Sequence, residues 1–244
     1  MIFVGDTHGI RPIFNIIEYN SIRGSNLIHV GDFGLGFQDI IRDVKNLLTL
    51  DEMLLETNNI LYVIRGNHDC PIFWDKSKGL NLPKFKNLRL IEDYSVINIE
   101  NKNILFIGGA ISIDRQLRKE DFPYPSWWED EVFNFNEKLL ENNIKNKTNI
   151  DIVVTHTAPM FVFPKDFDAK IVKEFAKIEN LHGRDLIKEL KEEREILNNI
   201  YNIITSKFNY KPKHWVYGHF HQDEVEVYKD TEFTCLGINK IKEI

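Results

Sequence analysis

Short, mainly apolar runs, each followed within two residues by glycine or histidine, recur along the sequence. Five such runs lie at 2–4, 27–30, 60–64, 150–154 and 215–217. Runs of this length that end at turn residues are typical of buried β-strands. Residues 11–20 and 39–56 have apolar side chains at three- and four-residue intervals, which predicts α-helices between the first three strands. Alternating strands and helices predict a parallel or mixed sheet with helices on its faces.

A second group of strand candidates follows Cys70, with polar residues between its members. These candidates lie at 88–91, 94–99, 104–107, 225–228 and 233–236. Short strands with polar turns, coming after an alternating strand and helix pattern, predict a β-meander in which a second sheet begins. The sequence therefore predicts an α/β fold with two packed sheets.

The remaining helical patterns lie in the second half of the chain. A polar helix is predicted over 129–143, and a longer helical region over 168–207 has a break near 181–185. No change of composition marks a linker between domains. We therefore expect a single domain over 1–244, with 168–207 as a helical insertion.

Residues 110–130 have no periodic pattern, and they are too long for a turn and too aromatic for a disordered linker. We interpret this segment as a lid or rim loop. In this interpretation Arg115 and Arg118 bind a substrate phosphate, and Trp127 or Trp128 stacks on a flat group. In the alternative, the tryptophans only fill space at the edge of the sandwich.

Composition and charge limit the partners. The chain has 244 residues, of which 43% are hydrophobic, and this suits a soluble globular protein with a large core. A net charge of −6 and a pI near 5.8 argue against a broad basic surface, so the charge does not indicate nucleic acid as a partner. Two cysteines without paired spacing, no basic leader before Ile2 and no long apolar stretch predict a cytoplasmic protein without a membrane partner. The oligomeric state stays open.

The polar residues after the five apolar runs carry the candidate chemistry. Loops after the C-terminal ends of strands in open α/β sheets meet at one crevice, so distant residues can form one site. The candidate metal ligands are Asp6, His8, Asp32, Asn67, His156, His219 and His221. Their mixed oxygen and nitrogen donors suit manganese, iron, zinc, cobalt or nickel better than calcium. Asp32 is the candidate to bridge two ions, which can hold a phosphoryl group and activate water.

These motifs resemble those of the calcineurin-like metallophosphoesterases. The family order is Gly-Asp-x-His, Gly-Asp, Gly-Asn-His-Asp, a lone His after a strand, and Gly-His-x-His, and all five occur here in that order between residues 5 and 221. The resemblance implies a four-layer αββα sandwich of two mixed sheets flanked by helices. It assigns one ion to Asp6, His8, Asp32 and His221, and the other to Asp32, Asn67, His156 and His219. It also implies that His68 protonates the leaving group or steadies the transition state.

Two of the motifs, 5–9 and 65–68, resemble the protein phosphatase branch and its bacterial and phage relatives. In that branch the arginine, here Arg65, grips the substrate phosphate, whereas the alternative for Arg65 is a structural ion pair. The chain departs from the branch where Leu35 and Gly36 stand in place of Asp and Arg.

The missing aspartate normally orients the general-acid histidine. Asp69 and Asp114 are therefore the candidates to orient His68.

The sequence thus predicts a phosphoesterase with two divalent ions, manganese first, that hydrolyses a phosphate monoester or diester with activated water. Within the family, a protein Ser/Thr phosphatase and a nuclease are the alternatives. A non-catalytic regulatory module that binds metal is the alternative from another class, and Leu35 in place of aspartate is the feature that favours it.

Overall fold

The first part of the chain alternates strands and helices. The computed structural model describes residues 1–75, 77, 80–120 and 126–244. Its first elements are β1 (Ile2–Val4), α1 (Arg11–Tyr19), β2 (Asn26–His29), α2 (Ile40–Glu56) and β3 (Ile60–Val63). Pro12 lies in the first turn of α1, where its missing N–H costs no helical hydrogen bond. Asp39 caps α2 by accepting the backbone N–H of Ile41 at 2.8 Å.

The second part of the chain is richer in strands. A short 3₁₀ helix at Pro71–Phe73 precedes them. Next come β4 (Leu88–Leu90), β5 (Ser95–Ile99), β6 (Lys102–Ile107), α3 (Arg115–Lys119), α4 (Glu137–Ile144) and β7 (Ile152–Thr155). The last elements are α5 (Lys170–Leu181), α6 (Leu186–Asn202) with a π-helical turn at Ile203–Lys207, β8 (His214–Tyr217), β9 (Glu224–Tyr228), β10 (Thr231–Cys235) and β11 (Ile241–Glu243).

The strands form two mixed sheets. The first has the order β11-β1-β2-β3-β4 and is parallel except for β11. The second has the order β5-β6-β7-β8-β10-β9, with parallel pairing in the centre and antiparallel strands at both edges. This confirms the predicted α/β class with two mixed sheets.

Alternating side chains divide the apolar residues of each sheet between two cores. In β2, Ile28 points to the core between the sheets, while Leu27 packs on the outer side with residues of α1 and α2 such as Ile17 and Leu50. The outer face of the second sheet packs in the same way against α4 and α6. The order is therefore helix, sheet, sheet, helix, as the four-layer prediction requires.

Three details differ from the sequence-based expectation. The strand at 88–90 belongs to the first sheet rather than the second, because Asp51 of α2 accepts the backbone N–H of residues 86, 87 and 88 and holds this segment beside β3. Helix α4 begins at Glu137 rather than 129, since carbonyls at 130–132 accept hydrogen bonds from Arg65 and cannot serve a helix. Strand β11 was not predicted, because three partly exposed residues at a sheet edge carry no clear pattern.

The two segments singled out in the sequence contain helices. Within 110–130 the structure has α3, and residues 121–125 of the predicted lid lie outside the described residues. Within 168–207 it has α5 and α6, with the predicted break at Gly183, whose φ is +73°. The single domain, the lid and the insertion stay predictions. In the described part of the chain, no helix combines the length and apolar character needed to cross a membrane.

Candidate metal centre

The predicted ligands follow the C-terminal ends of parallel strands in both sheets. Asp6 and His8 follow β1, Asp32 follows β2 and Asn67 follows β3 in the first sheet. His156 follows β7, while His219 and His221 follow β8 in the second sheet. Because the sheets pack face to face, these strand ends lie at one edge of the sandwich, and all seven side chains come together there.

One cluster consists of two buried carboxylates and two exposed imidazoles. Its members are Asp6, His8, Asp32 and His221, and their donor atoms all lie within 4.8 Å of one another. The Nε2 atoms of His8 and His221 are 3.0 Å apart, and Nε2 of His221 is 3.5 Å from Oδ2 of Asp6. This set of oxygen and nitrogen donors fits one divalent transition-metal ion.

A second cluster is centred on the side-chain oxygen of Asn67. Oδ1 of Asn67 is 3.0 Å from Nε2 of His156 and 2.9 Å from Nδ1 of His219. Oδ1 of Asp32 lies 3.1 Å from the same His156 nitrogen. Since the other oxygen of Asp32 is 3.8 Å from Nε2 of His8, Asp32 contributes to both clusters.

Neighbouring hydrogen bonds orient these donors toward the centre. Nδ1 of His156 donates to the carbonyl of Val30 at 2.8 Å, which directs Nε2 toward the centre. Nδ2 of Asn67 donates to Oγ of Ser112 at 3.0 Å, so its Oδ1 faces the centre. Partners of this kind fix the tautomer and orientation of metal ligands.

One carboxylate oxygen in these clusters has no hydrogen-bond partner among the described residues. Oδ2 of Asp6 accepts the backbone N–H of His219 at 2.9 Å, but its buried Oδ1 has no hydrogen-bond partner among the described residues. A buried carboxylate oxygen without a partner costs free energy that a bound cation would offset. The residues present therefore fit a metal ion.

Burial and close charges shift the pKa values of the buried ligands. Burial raises the pKa of Asp6 well above its usual range. Burial also opposes ionisation of Asp32, but the adjacent His156 holds the pKa of Asp32 well below its usual range. Against the effect of burial, Asp32 raises the pKa of His156 to about 9. Asp32 and His156 thus form an ion pair in the protein alone, and ligation of a cation by His156 would replace its proton.

The backbone is strained at the ligands. Positive φ values occur at His8 (+47°), Asp32 (+55°), His219 (+70°) and His221 (+55°). Left-handed conformations of such residues cost about 1–3 kcal/mol each and concentrate at functional sites. Gly66 and Gly218 are needed beside them, because a Cβ at Gly66 would lie 2.1 Å from Oδ1 of Asp32, and one at Gly218 would lie 2.0 Å from Oδ1 of Asp6.

His68 lies beside both clusters. Its backbone N–H donates to Oδ1 of Asp32 at 2.8 Å, and its ring meets the His8 ring edge to face at 5.0 Å. The ring of Phe37 stacks on it with an interplanar angle of 14° and a centroid distance of 5.8 Å. Burial lowers the pKa of His68 to about 4, although Asp32 opposes this effect. Phe37 is a contact that sequence analysis missed, because a lone phenylalanine in a loop carries no signal.

Asp69 anchors the backbone rather than the His68 ring. Its carboxylate accepts the backbone N–H groups of Phe33, Gly34, Leu35 and Gly66 at 2.7 to 3.1 Å. It therefore joins the loop after β2 to the loop after β3, and the suggestion that Asp69 orients the His68 side chain needs correction. The side chain of Leu35 is fully buried in the outer core of the first sheet.

The structure assigns Arg65 to an ion pair, which corrects the predicted phosphate clamp. Its Nε and Nη2 donate to Oδ2 of Asp93 at 3.2 and 2.7 Å. Its remaining N–H groups donate to the carbonyls of Asp130, Glu131 and Val132. All five N–H groups are used, so no donor is left for a phosphate.

Arg115 and Arg118 likewise donate to protein atoms. Arg115 of α3 pairs with Glu179 of α5 at 2.8 Å and with Glu189 of α6 at 2.7 Å, so it joins three helices instead of facing the metal centre. Arg118 donates to Ser112 and, at 3.0 Å, to the carbonyl of Asn67. The predicted phosphate contacts of both arginines are thus replaced by structural ones, and Arg118 and Ser112 position Asn67.

The two tryptophans have different neighbours. The Lys119 ammonium lies 4.1 Å from the centre of a Trp127 ring. The Trp128 ring contacts Phe37 edge to face at 5.6 Å, and Phe37 in turn stacks on His68. Trp128 is therefore one residue removed from the candidate site, and a substrate contact for either tryptophan stays a prediction.

Comparison with known proteins places this site in a family. The sequence model described as calcineurin-like phosphoesterase matches residues 1–223. One solved chain is 13% identical with a TM-score of 0.56, over 99% of this chain and 97% of that one. A phosphopantetheinyl hydrolase from Mycobacterium tuberculosis is 14% identical with a TM-score of 0.42, over 97% and 89% of the two chains.

A cold-active protein-tyrosine phosphatase of a psychrophilic Shewanella species is 14% identical with a TM-score of 0.37, over 96% of this chain and 69% of that one. The chain with a TM-score of 0.56 shows a shared fold alone, because its identity is only 13%. No curated protein matches the sequence.

Proposed function

Because the chain belongs to the calcineurin-like phosphoesterase family, we propose that it hydrolyses a phosphate monoester or diester at a centre of two divalent metal ions. The observation that carries this proposal is the position of Asp32. One of its oxygens is 3.8 Å from Nε2 of His8 and the other is 3.1 Å from Nε2 of His156. A carboxylate shared by two donor clusters is what a two-ion site needs.

Two sets of ligands would hold the ions. The first set is Asp6, His8, Asp32 and His221, and the second is Asp32, Asn67, His156 and His219. When bound, the ions supply activation of water and neutralisation of charge on the phosphoryl group. The protein contributes rigid placement, because the hydrogen bonds of Val30 and Ser112 fix His156 and Asn67 before any ligand arrives.

His68 is the proposed hydrogen-bond donor to the leaving oxygen. Its position is fixed by the bond from its backbone to Asp32 and by the stacked Phe37 ring. Because burial lowers the pKa of His68 to about 4, its ring is neutral at neutral pH, and a ring N–H can donate a hydrogen bond to the ester oxygen of a substrate held at the centre and so steady the transition state.

We propose manganese as the first choice of ion, with iron, zinc, cobalt and nickel as alternatives. Mixed carboxylate, amide and imidazole donors are compatible with all five, so geometry does not select one. We further propose a cytoplasmic location, which the two cysteines support because their spacing in the sequence predicts no disulfide framework.

Metal-dependent turnover tests this function. Purified protein with manganese is expected to hydrolyse p-nitrophenyl phosphate or its bis-ester, and a chelator is expected to abolish turnover. Asp32→Asn should lower kcat/KM by about 100-fold or more, because it weakens a ligand shared by both ions. Asp230→Asn, at an exposed aspartate outside the site, is the matched control and should retain activity.

Two outcomes would contradict the proposal. Full turnover by Asp32→Asn would reject the shared ligand. Bound metal without turnover on nucleotides, phosphopeptides, alkyl phosphates and single-stranded nucleic acid would favour the non-catalytic module instead.

A further inference from the structure

A cavity of about 830 Å³ opens from the metal centre. Asn67, His68 and His219 form part of its metal end. The apolar part of its wall includes Phe163, Phe167, Val172, Phe175, Leu190 and Phe220. A cavity of this size fits an organic group of small-molecule dimensions.

The far wall is built on a packed pair of helices. Val172 and Phe175 belong to α5 and Leu190 to α6. These helices share an apolar cluster in which Leu186 is fully buried and Leu190 is 7% exposed. The wall is therefore a formed surface, which lowers the entropic cost of binding a ligand against it.

The arginine of the wall already makes four hydrogen bonds to the protein. The guanidinium of Arg194 donates to the carbonyls of Ala158, Pro159 and Val162 at 2.7 to 3.0 Å, and also to that of Pro164. These bonds use four of the five N–H groups of Arg194 and fix the loop after β7, so Arg194 shapes the cavity.

The acidic groups inside the cavity and those at its mouth differ in charge. Burial raises the pKa of Glu193 to about 8, so this wall residue is mostly uncharged at neutral pH. Lys165 pairs with Glu226 at 2.6 Å. Asp166 and Glu224 are exposed at the edge of the cavity, where their negative charge disfavours a polyanion such as nucleic acid.

We propose that this cavity binds the organic part of the substrate, and that this part is an uncharged apolar group, alkyl or aryl. The inference rests on the proposed function, since the ester bond must lie at the metal centre while the organic group extends into the cavity. The apolar wall and its continuity with the ligands both favour such a group.

A series of alkyl phosphates tests the inference. With manganese present, KM is expected to fall about threefold for each added methylene from ethyl to octyl phosphate, with little change in kcat, because each methylene leaves water for the apolar wall. Chelator-sensitive turnover with a KM independent of chain length would overturn this inference and leave the proposed function standing. No turnover of any ester by metal-loaded protein would overturn both.

Variants of Val172 test whether the dependence of KM on chain length arises in this cavity. Val172→Trp should raise KM for octyl phosphate about 10-fold more than KM for ethyl phosphate, because the indole occupies the cavity. Val172→Ala cannot block the cavity, and it should increase the chain length at which KM stops falling. Leu181→Trp, on the same helix at a position that is 86% exposed, is the control and should behave as the unmodified protein. Equal effects of Val172→Trp on both esters would overturn the assignment.

Discussion

Two groups of buried polar residues, one on each side of Gly66 along the chain, differ in how far the protein satisfies them. Before Gly66, Arg65 makes five hydrogen bonds, two to Asp93 and three to carbonyls. After Gly66, two imidazole nitrogens lie within about 3 Å of Oδ1 of Asn67, and Oδ1 of Asp6 in the same group has no partner among the described residues.

This difference separates structural charge from functional charge. A buried charge whose donors are all used by the protein stabilises the fold and offers nothing to a ligand. Buried carboxylate, amide and imidazole groups that converge without enough protein partners stabilise the fold only when a cation binds. The motif Arg65-Gly66-Asn67-His68 therefore begins in a structural group and ends in the candidate metal centre.

Loss of the Arg65 group should have the largest effect on stability. We expect Arg65→Ala to lower the free energy of unfolding by about 3–5 kcal/mol, because Asp93 and three carbonyls lose their partner. Urea denaturation measures this change, and Arg42→Ala, at an exposed position of α2, should change it by less than about 0.5 kcal/mol. A small change in stability combined with a large rise in KM would restore Arg65 as a phosphate ligand.

Glu193 tests whether a buried carboxylate that belongs to neither donor cluster takes a proton in place of a metal. Its Oε1 also has no partner among the described residues, and burial raises its pKa from 4.5 to about 8. Between these values the folded protein keeps a proton that the unfolded chain loses, so stability should fall as pH rises.

Glu193→Gln should remove this dependence. The free energy of unfolding of the variant, minus that of the unmodified protein, should rise by about 3 kcal/mol as the pH is raised from 5 to 8. Glu192→Gln, one position away and 59% exposed, should show no such trend. Denaturation curves at several pH values check this, and parallel profiles for Glu193→Gln and the unmodified protein would refute it.

A smaller change in the free energy of unfolding is expected for a variant of Asp6, and its sign should differ between metal-free and metal-loaded protein. In chelator-treated protein, Asp6→Asn should raise the free energy of unfolding by about 1 kcal/mol, because it replaces a buried carboxyl group whose Oδ1 is unsatisfied. With manganese present it should lower stability relative to the unmodified protein, because the stabilisation by bound metal is reduced. Thermal unfolding with and without metal measures both signs, and the same sign in both conditions would argue against a metal ligand at this position.

The sequence predicted the parts of the fold that local pattern determines. Strand ends at Asp32, Asn67 and His156 were predicted because apolar runs stop there, and the structure places these residues together. The partners of Arg65 could not be predicted, since they lie 28 to 67 residues away and three of them are backbone carbonyls.

The same limit explains the later start of α4. Its apolar pattern continues before residue 137, but a tertiary contact with Arg65 uses the carbonyls that the helix would need. The cavity was also beyond sequence reasoning, because Val172 and Leu190 read as ordinary helix-packing residues until α5 and α6 are placed beside the metal centre.

The most direct test of a shared two-ion centre is manganese binding followed by elemental analysis and electron paramagnetic resonance. The unmodified protein should bind two manganese ions per chain and give the spectrum of a spin-coupled pair, and Asp32→Asn should lose the coupling. A chain that binds one ion or none, or an Asp32→Asn variant that retains the coupled pair, would contradict the account.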